Sequence, residues 1–373
     1  MAESYLPQIL SKGGYTALMR VVLDQDDLVL DDLQSEPLPS ARPNDGPLYR
    51  IHLTGSGEAG RAELDVVLRV LPGPTWSEAF NPRLDAPAEI AALESDLLSV
   101  LPSSIVDPTI ASARAREGRP AWIMTSPLAE TLGPARLEAR LSDEEVRLML
   151  YRLAEMHALH WDAGSVLDFV YPWLTRQAEW VRGATSLYAG AMAGDLPEGL
   201  ASLVLQANAP NAGENLRALF DALPLEDAEV LYRVLQSPDA LIERLAAAPP
   251  TVVHGAPTVA NIGLSDDHLV VVDWAGIQVA PSSWDVWALW SSLREPPLSS
   301  AEAASFYLDA LDTLLEEGVD REAWERSYAA TPVAAFLLRD LADVAGASPN
   351  DVPDPAAIDR ARHAAATARE IGL

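Results

Sequence analysis

The pattern of apolar residues changes once along this chain, and that change limits the folds open to it. Up to about residue 125, apolar and polar residues alternate at the two-residue period of strands. The clearest runs are "DLVLDDL" at 27–33, "LYRIHLT" at 48–54 and "ELDVVLRVL" at 63–71. The stretch "GSGEAG" at 55–60 predicts a hairpin loop between the last two. One helix is predicted over 89–101, where Ile90, Leu93, Leu97 and Leu101 fall on one face. "PAWIMTSPL" at 120–128 predicts a strand running into a linker. Beyond it the helical period takes over. Ser142 followed by Glu145 marks a capping box at the head of a helix over 142–160. Helical patterns continue through 171–190 and 227–249. Short strands return at 251–255, 261–265 and 269–275, before helices run to the end. The expectation is an α+β chain in two parts, a sheet-rich 1–125 and a larger helical 126–373, with a polar hairpin at 251–275.

Length supports two parts, because 373 residues exceed what one small core needs. Composition then removes whole function classes. No apolar run approaches 18 residues, so no transmembrane helix or membrane partner is expected. The start "MAESYLPQILSKGGY" lacks the features of a secretory signal, which makes a cytoplasmic location the default expectation. There is no cysteine, which excludes disulfides, thiol nucleophiles and Cys-ligated zinc. The formal charge of −29 argues against nucleic acid, whose binding depends on neutralising phosphates. It suits a solvated surface and permits a cationic small molecule. Oligomeric state is not legible.

The stretch "VVHGAPTVANIGL" at 252–264 carries the densest chemical signal. Phosphoryl transfer asks little of a protein. It needs a carboxylate to orient the attacking hydroxyl, oxygen ligands for Mg2+, and a cation on the nucleotide phosphates held by an acidic helix residue. Protein kinases place the first two as His-x-Asp-x-x-x-x-Asn, a short hairpin, and Asp-Phe-Gly. Here Asn261 follows His254 by seven positions and Asp273 follows Asn261 by twelve. A carboxamide oxygen and a carboxylate suit Mg2+, which keeps several waters and uses substrate phosphates.

The segment from His254 to Trp290 resembles the catalytic segment of aminoglycoside phosphotransferases and their choline-kinase-like relatives. The residues that carry the resemblance are His254-Gly255, Asn261, Val272-Asp273-Trp274 and Trp284-Asp285, with "LAEMHALH" at 153–160 similar to the family's Leu-His-Ala helix end. The resemblance implies a bilobal protein-kinase-like fold, with a small sheet-rich N-lobe and a larger helical C-lobe. It implies ATP or GTP with Mg2+ as cofactors and a small-molecule acceptor, whose region would be 161–250. Asn261 and Asp273 would be metal ligands, His254 a structural residue of the loop, and Asp285 its brace. Arg69 would stand where the family has a lysine, with Glu89, or else Glu94, as its ion-pair partner.

Two departures stand out. At the base position the family's Asp is replaced by Ala256, whose methyl group accepts no proton. Arg69 keeps the charge of the usual lysine but presents a wider planar fork, and Lys12, the only lysine, lies well upstream. "SARPNDGPLYR" at 40–50 is also a poor glycine-rich loop. Two function classes follow: a weakened or inactive ATP-dependent phosphotransferase acting on a hydroxyl, or a kinase-like pseudoenzyme that binds a nucleotide, metabolite or protein partner. Simpler readings hold for other residues. His157 and His160 suit helix-end packing or capping, and Asp266 and Asp267 a solvated hairpin tip. Trp173, Trp180 and Tyr188 suit core positions more than an acceptor pocket. Asp273 beside Trp274 suits a metal ligand more than a satisfied core carboxylate.

Overall fold

The structure is a computed structural model that describes residues 10–38, 46–71, 83–84, 86–116, 119–127, 140–348 and 354–373. Part of the 40–50 loop, the first nine residues and the end of the 120–128 stretch lie outside them. In chain order come α1 (Lys12–Leu23), β1 (Val29–Leu38), β2 (Leu48–Gly57), β3 (Gly60–Val70), α2 (Ala88–Glu94), β4 (Ile105–Val106), β5 (Thr109–Ala113) and β6 (Trp122–Thr125). Next are α3 (Asp143–Ala158), α4 (Gly164–Val170), β7 (Thr175–Arg176), α5 (Gln177–Ala193), α6 (Leu200–Asn208), α7 (Ala212–Asp221), α8 (Leu225–Gln236) and α9 (Asp239–Leu245). Last are β8 (Pro250–Val253), β9 (Ile262–Ser265), β10 (His268–Val271), β11 (Gln278–Pro281), α10 (Ser283–Ser292), α11 (Ser300–Leu314), α12 (Arg321–Ala335), α13 (Leu341–Gly346) and α14 (Pro355–Glu370).

These elements form two compact units, each discontinuous in sequence. One is drawn from Met1–Gly73, Leu93–Ala139 and Val259–Val272, the other from Pro74–Ala92, Arg140–Thr258 and Asp273–Leu373.

The first unit is built on a five-stranded sheet in the order β1-β2-β3-β6-β5, antiparallel throughout. The alternation that predicted these strands is also their packing rule. Tyr49, Ile51 and Leu53 of β2 point to one face and are buried, as are Val66, Leu68 and Val70 of β3. The predicted loop at 55–60 is shorter than its sequence suggests. Pairing of β2 with β3 continues to Gly57 opposite Gly60, so only Glu58 and Ala59 turn. The Asp27 carboxylate accepts the Glu58 N–H and Gly60 takes a φ of 110°, which together close the tighter turn. Helix α1 was not expected. It is capped by Ser11, whose side chain accepts the Gly14 N–H at 3.1 Å, and it buries Tyr15 and Met19 against the sheet core. A second sheet, β4-β10-β9, carries the hairpin that follows Asn261.

The helix predicted over 89–101 forms in two pieces. Helix α2 ends at Glu94 and a 3-10 turn covers Leu97–Val100. Two serine side chains bond the backbone at the break: Ser95 Oγ accepts the Leu97 N–H at 3.3 Å, and the Ser99 hydroxyl donates to the Asp96 carbonyl at 2.6 Å.

The second unit is helical around one large core drawn from α5, α7, α8, α9, α12 and α14. Ser142 and Glu145 make the expected capping box at the head of α3. A small sheet, β7-β11-β8, pairs Gln278 with Val253 and with Thr175, and β8 runs directly into His254. Among the described residues no helix is long and apolar enough to cross a membrane.

Candidate functional site

The start of the loop at 254–258 is held by one buried carboxylate. Asp285, in the first turn of α10, is fully buried. Its Oδ2 accepts the backbone N–H of His254 at 2.7 Å and its Oδ1 accepts that of Gly255 at 2.9 Å. His157, near the end of α3 and also fully buried, places Nε2 3.1 Å from Asp285 Oδ2 and Nδ1 2.7 Å from the Tyr307 hydroxyl on α11. Three distant segments therefore meet on one side chain. Charge-assisted bonds of this kind are stronger than neutral ones. Asp285 also stands at a helix N-terminus, where negative charge is favoured.

The start of α10 is fixed in turn by buried hydroxyls. Trp324 Nε1 donates to Ser282 Oγ at 2.9 Å, and Ser283 Oγ lies 2.9 Å from Ser327 Oγ. Burial raises the Tyr307 phenol well above its usual range, with the Asp285 charge adding to the effect, so Tyr307 stays neutral beside His157.

The loop at 254–258 bends where glycine is required. Gly255 has a φ of 87°, and a Cβ there would lie 1.9 Å from the Gly276 carbonyl oxygen. Trp284 Nε1 donates to the Gly255 carbonyl at 2.6 Å. The His254 imidazole accepts the Ala256 N–H on Nδ1 at 3.2 Å and packs on Trp274, ring centroids 4.8 Å apart. Ala256 itself is half-buried. Among the described residues, two buried atoms here have no hydrogen-bond partner, Thr258 Oγ1 and Trp274 Nε1.

Asp273 heads a 3-10 turn in a left-handed conformation, φ 66° and ψ 61°, that is uncommon outside glycine. Its carboxylate belongs to a half-buried residue. The next residue, Trp274, donates its N–H to Glu89 Oε1 at 3.3 Å. Glu89, on α2, is only 3 % exposed. The alternative Glu94 is engaged elsewhere, with its Oε2 2.6 Å from Arg114 Nε.

In the first unit, Asn261 is buried and precedes β9, and its carbonyl accepts the N–H of Val272 at 2.9 Å. Arg69 is half-buried on β3, opposite Leu48 and Ile123. Asp266, with φ 51°, and Asp267 form the exposed tip of the β9–β10 hairpin. Among the described residues no group of three or more His, Asp or Glu side chains clusters as a metal site.

The helical aromatics and His157 sit much as the sequence suggested. Tyr188 is a core residue whose phenol burial pushes up, and Trp180 packs on the same core. Trp173 stacks edge-on against Tyr171. His157, expected to pack at a helix end, does pack there, but it also bonds the residue that holds the loop. Sequence spacing gave no sign of this, since its partner is 128 positions away. Glu89 was expected to meet a cation, and its bond to Trp274 N–H was equally hidden.

Comparison with known proteins places this geometry in context. No protein-family model matches the chain, and no curated protein matches it. Among solved structures, choline kinase from Cryptosporidium parvum Iowa II is similar over 91% of this chain and 89% of its own, with 9% identity and a TM-score of 0.53. Choline kinase LicA from Streptococcus pneumoniae shares 12% identity over 95% of this chain and 99% of its own, TM-score 0.48. Aminoglycoside 2'-phosphotransferase-IIIa, solved as a GDP complex, shares 14% identity over 98% and 100%, TM-score 0.44. At such identity the likeness is one of fold, and the first of the three carries it. The fold is the α+β protein-kinase-like fold, with a sheet-rich N-terminal part and a helical C-terminal part.

Proposed function

We propose that the chain is a phosphotransferase-type protein, built to bind an ATP-like nucleotide with Mg2+ and to present a hydroxyl of a small-molecule acceptor, in which Ala256 weakens or abolishes transfer. The observation that supports this best is the Asp285 clamp. A buried carboxylate bonded to the N–H groups of His254 and Gly255 and to His157 is an expensive arrangement to keep for an ordinary turn. It fixes the backbone of the two residues just before the position where a base would stand.

The proposed roles follow the residue chemistry. Asn261 and Asp273 offer a carboxamide oxygen and a carboxylate. Both are hard oxygen donors of the kind Mg2+ takes while phosphates and waters fill its remaining positions. The donor set therefore fits the metal, which would neutralise charge on the transferred phosphoryl group. Arg69 would steady the nucleotide phosphates and Glu89 would steady that cation. His254 and Asp285 hold the loop. A net charge of −29 permits a cationic acceptor, which the helical region 161–250 would hold.

A second reading is favoured by one pair of residues, Ala256 and Arg69. The first removes the proton acceptor and the second changes the shape of the phosphate contact. Under that reading the protein holds its nucleotide or metabolite without transfer.

Titration calorimetry of Mg-ATP and Mg-GTP into the full chain tests the shared part of both. Binding that needs Mg2+, and that weakens at least about tenfold in Asp273→Asn, is the expected result. No heat with either nucleotide would remove nucleotide binding from both readings.

A further inference from the structure

In the second unit, an open cavity of about 470 Å³ lies where the ends of α5 and α6 meet the first turns of α7. That is within the size range of sites that take small molecules. Its floor is apolar: Ala191, Leu205 and Ala209 line it and are buried. Its rim is charged. Asp195, Glu214 and Arg217 line it and are exposed, so a ligand can reach them. The cavity is distinct from the loop at 254–258. Helix α5 starts directly after β7, which pairs with β11 and, through it, with β8, the strand that runs into His254. The cavity lies at the other end of this 17-residue helix, about 25 Å further along its axis.

The rim charges stay unmatched, although two of them are spaced to pair. Glu214 and Arg217 stand three positions apart on α7, a separation at which opposite charges meet on a helix. The chain makes such pairs elsewhere: Arg152 lies 2.8 Å from Glu155 on α3, and Arg326 lies 2.6 Å from Glu322 on α12. Arg217 turns instead to the end of α5, where its Nε donates to the Met192 carbonyl at 2.8 Å. Gly213 allows this close approach, since a Cβ there would lie 2.3 Å from the Ala191 carbonyl oxygen and 3.4 Å from an Arg217 terminal nitrogen. The guanidinium is thus anchored by one nitrogen at the cavity, with its terminal N–H groups left over. Among the described residues, neither Glu214 nor Asp195 has an ion pair. An anchored cation and two open carboxylates therefore share one rim above one apolar floor.

We infer that this cavity binds a small zwitterion, an α-amino acid with an aliphatic side chain. Its carboxylate pairs with the free nitrogens of Arg217, a fork suited to that group. Its ammonium meets Asp195 and Glu214, and its side chain covers the floor of Ala191, Leu205 and Ala209. A ligand of single charge fits less well. An anion faces two carboxylates, and a cation leaves Arg217 unmatched. An aliphatic amino acid has no hydroxyl to phosphorylate, so this site does not depend on phosphoryl transfer at the loop.

The test is titration calorimetry of L-leucine into the full chain. Two controls each lack one charge: L-leucinamide has no carboxylate and 4-methylpentanoate has no ammonium. L-leucine binds with a Kd at or below about 1 mM, and each control binds at least about tenfold more weakly. Arg217→Gln weakens L-leucine at least about tenfold and leaves L-leucinamide unchanged. The double variant Asp195→Asn with Glu214→Gln weakens L-leucine by a similar factor and does not weaken 4-methylpentanoate. Arg217 also bonds the end of α5, so if Arg217→Gln unfolds, the double variant, altered only at exposed residues, decides alone. The inference is overturned if L-leucine gives no saturable heat, if either control binds as tightly as L-leucine, or if a folded variant binds L-leucine like the parent.

Discussion

Single residues decide what the loop at 254–258 can do. Asp285 satisfies two backbone N–H groups and a buried imidazole at once. Asp285→Ala leaves all of these unpaired in a dry interior. The expected loss is about 3–5 kcal/mol, read as a lower midpoint in urea with an unchanged slope. A loss under about 1 kcal/mol would mean that solvent reaches the loop and that the clamp is not what shapes it. Ala256 is the opposite case. Its side chain supplies nothing, yet its N–H is tied to His254 Nδ1. The backbone is held at the position where we propose that a base is missing. The bracing of the His254 loop by Asp285 was legible through the family resemblance of one chain segment, while metal binding by Asn261 and Asp273 is a proposal. His157 and Glu89 were not legible as parts of this arrangement. Each acts on a residue more than a hundred positions away, His157 on Asp285 and Glu89 on Trp274, and no local pattern records such a meeting.

Elements form where local chemistry and packing agree. Helix α3 was visible from Ser142 and Glu145, and both halves of its capping box are made. Helix α11 repeats the device with Ser299 and Glu302. Ser142→Ala is expected to cost about 1 kcal/mol, and the double variant with Ser299→Ala about twice that, since separate caps add. Urea denaturation of the single and double variants checks this. Strands β2 and β3 were read correctly because one face of each is buried and the alternation follows. Helix α1 was missed because Gly13 and Gly14 at its start dilute the helical signal, and its stability comes from burying Tyr15 and Met19 against the sheet. The break after α2 was missed for the reverse reason. The apolar period continues through 101, but the Ser95 and Ser99 hydroxyls bond the backbone locally and end the helix.

At the scale of the whole molecule, the charge balance and the buried phenols set how the protein responds to its solvent. Tyr188 and Tyr307 are pushed up by burial, and Tyr328 is pushed up to about 12. A phenol that is harder to ionise in the folded state releases its proton first in the unfolded chain. Their contribution is therefore fully present below about pH 10 and is lost as pH rises above it. Each such tyrosine steepens the fall by about 1.4 kcal/mol per pH unit until its own folded pKa is reached. All three lie in the helical unit. Denaturant unfolding of that unit, measured from about pH 9 to pH 12, should show stability level at first and then falling. Tyr307→Phe should make the fall shallower.

The central claim is that a kinase-like loop keeps its scaffold and lacks one group, the base at position 256. It predicts that restoring that group restores chemistry. Phosphate transfer from Mg-ATP to a panel of amino sugars, choline-like amines and simple sugars should be compared for the parent chain and for Ala256→Asp. The account predicts a rise of about 10²–10⁴ in turnover for at least one acceptor, with Mg-ATP affinity unchanged. Turnover at background for both proteins across the panel, with the variant folded and binding Mg-ATP, would contradict it.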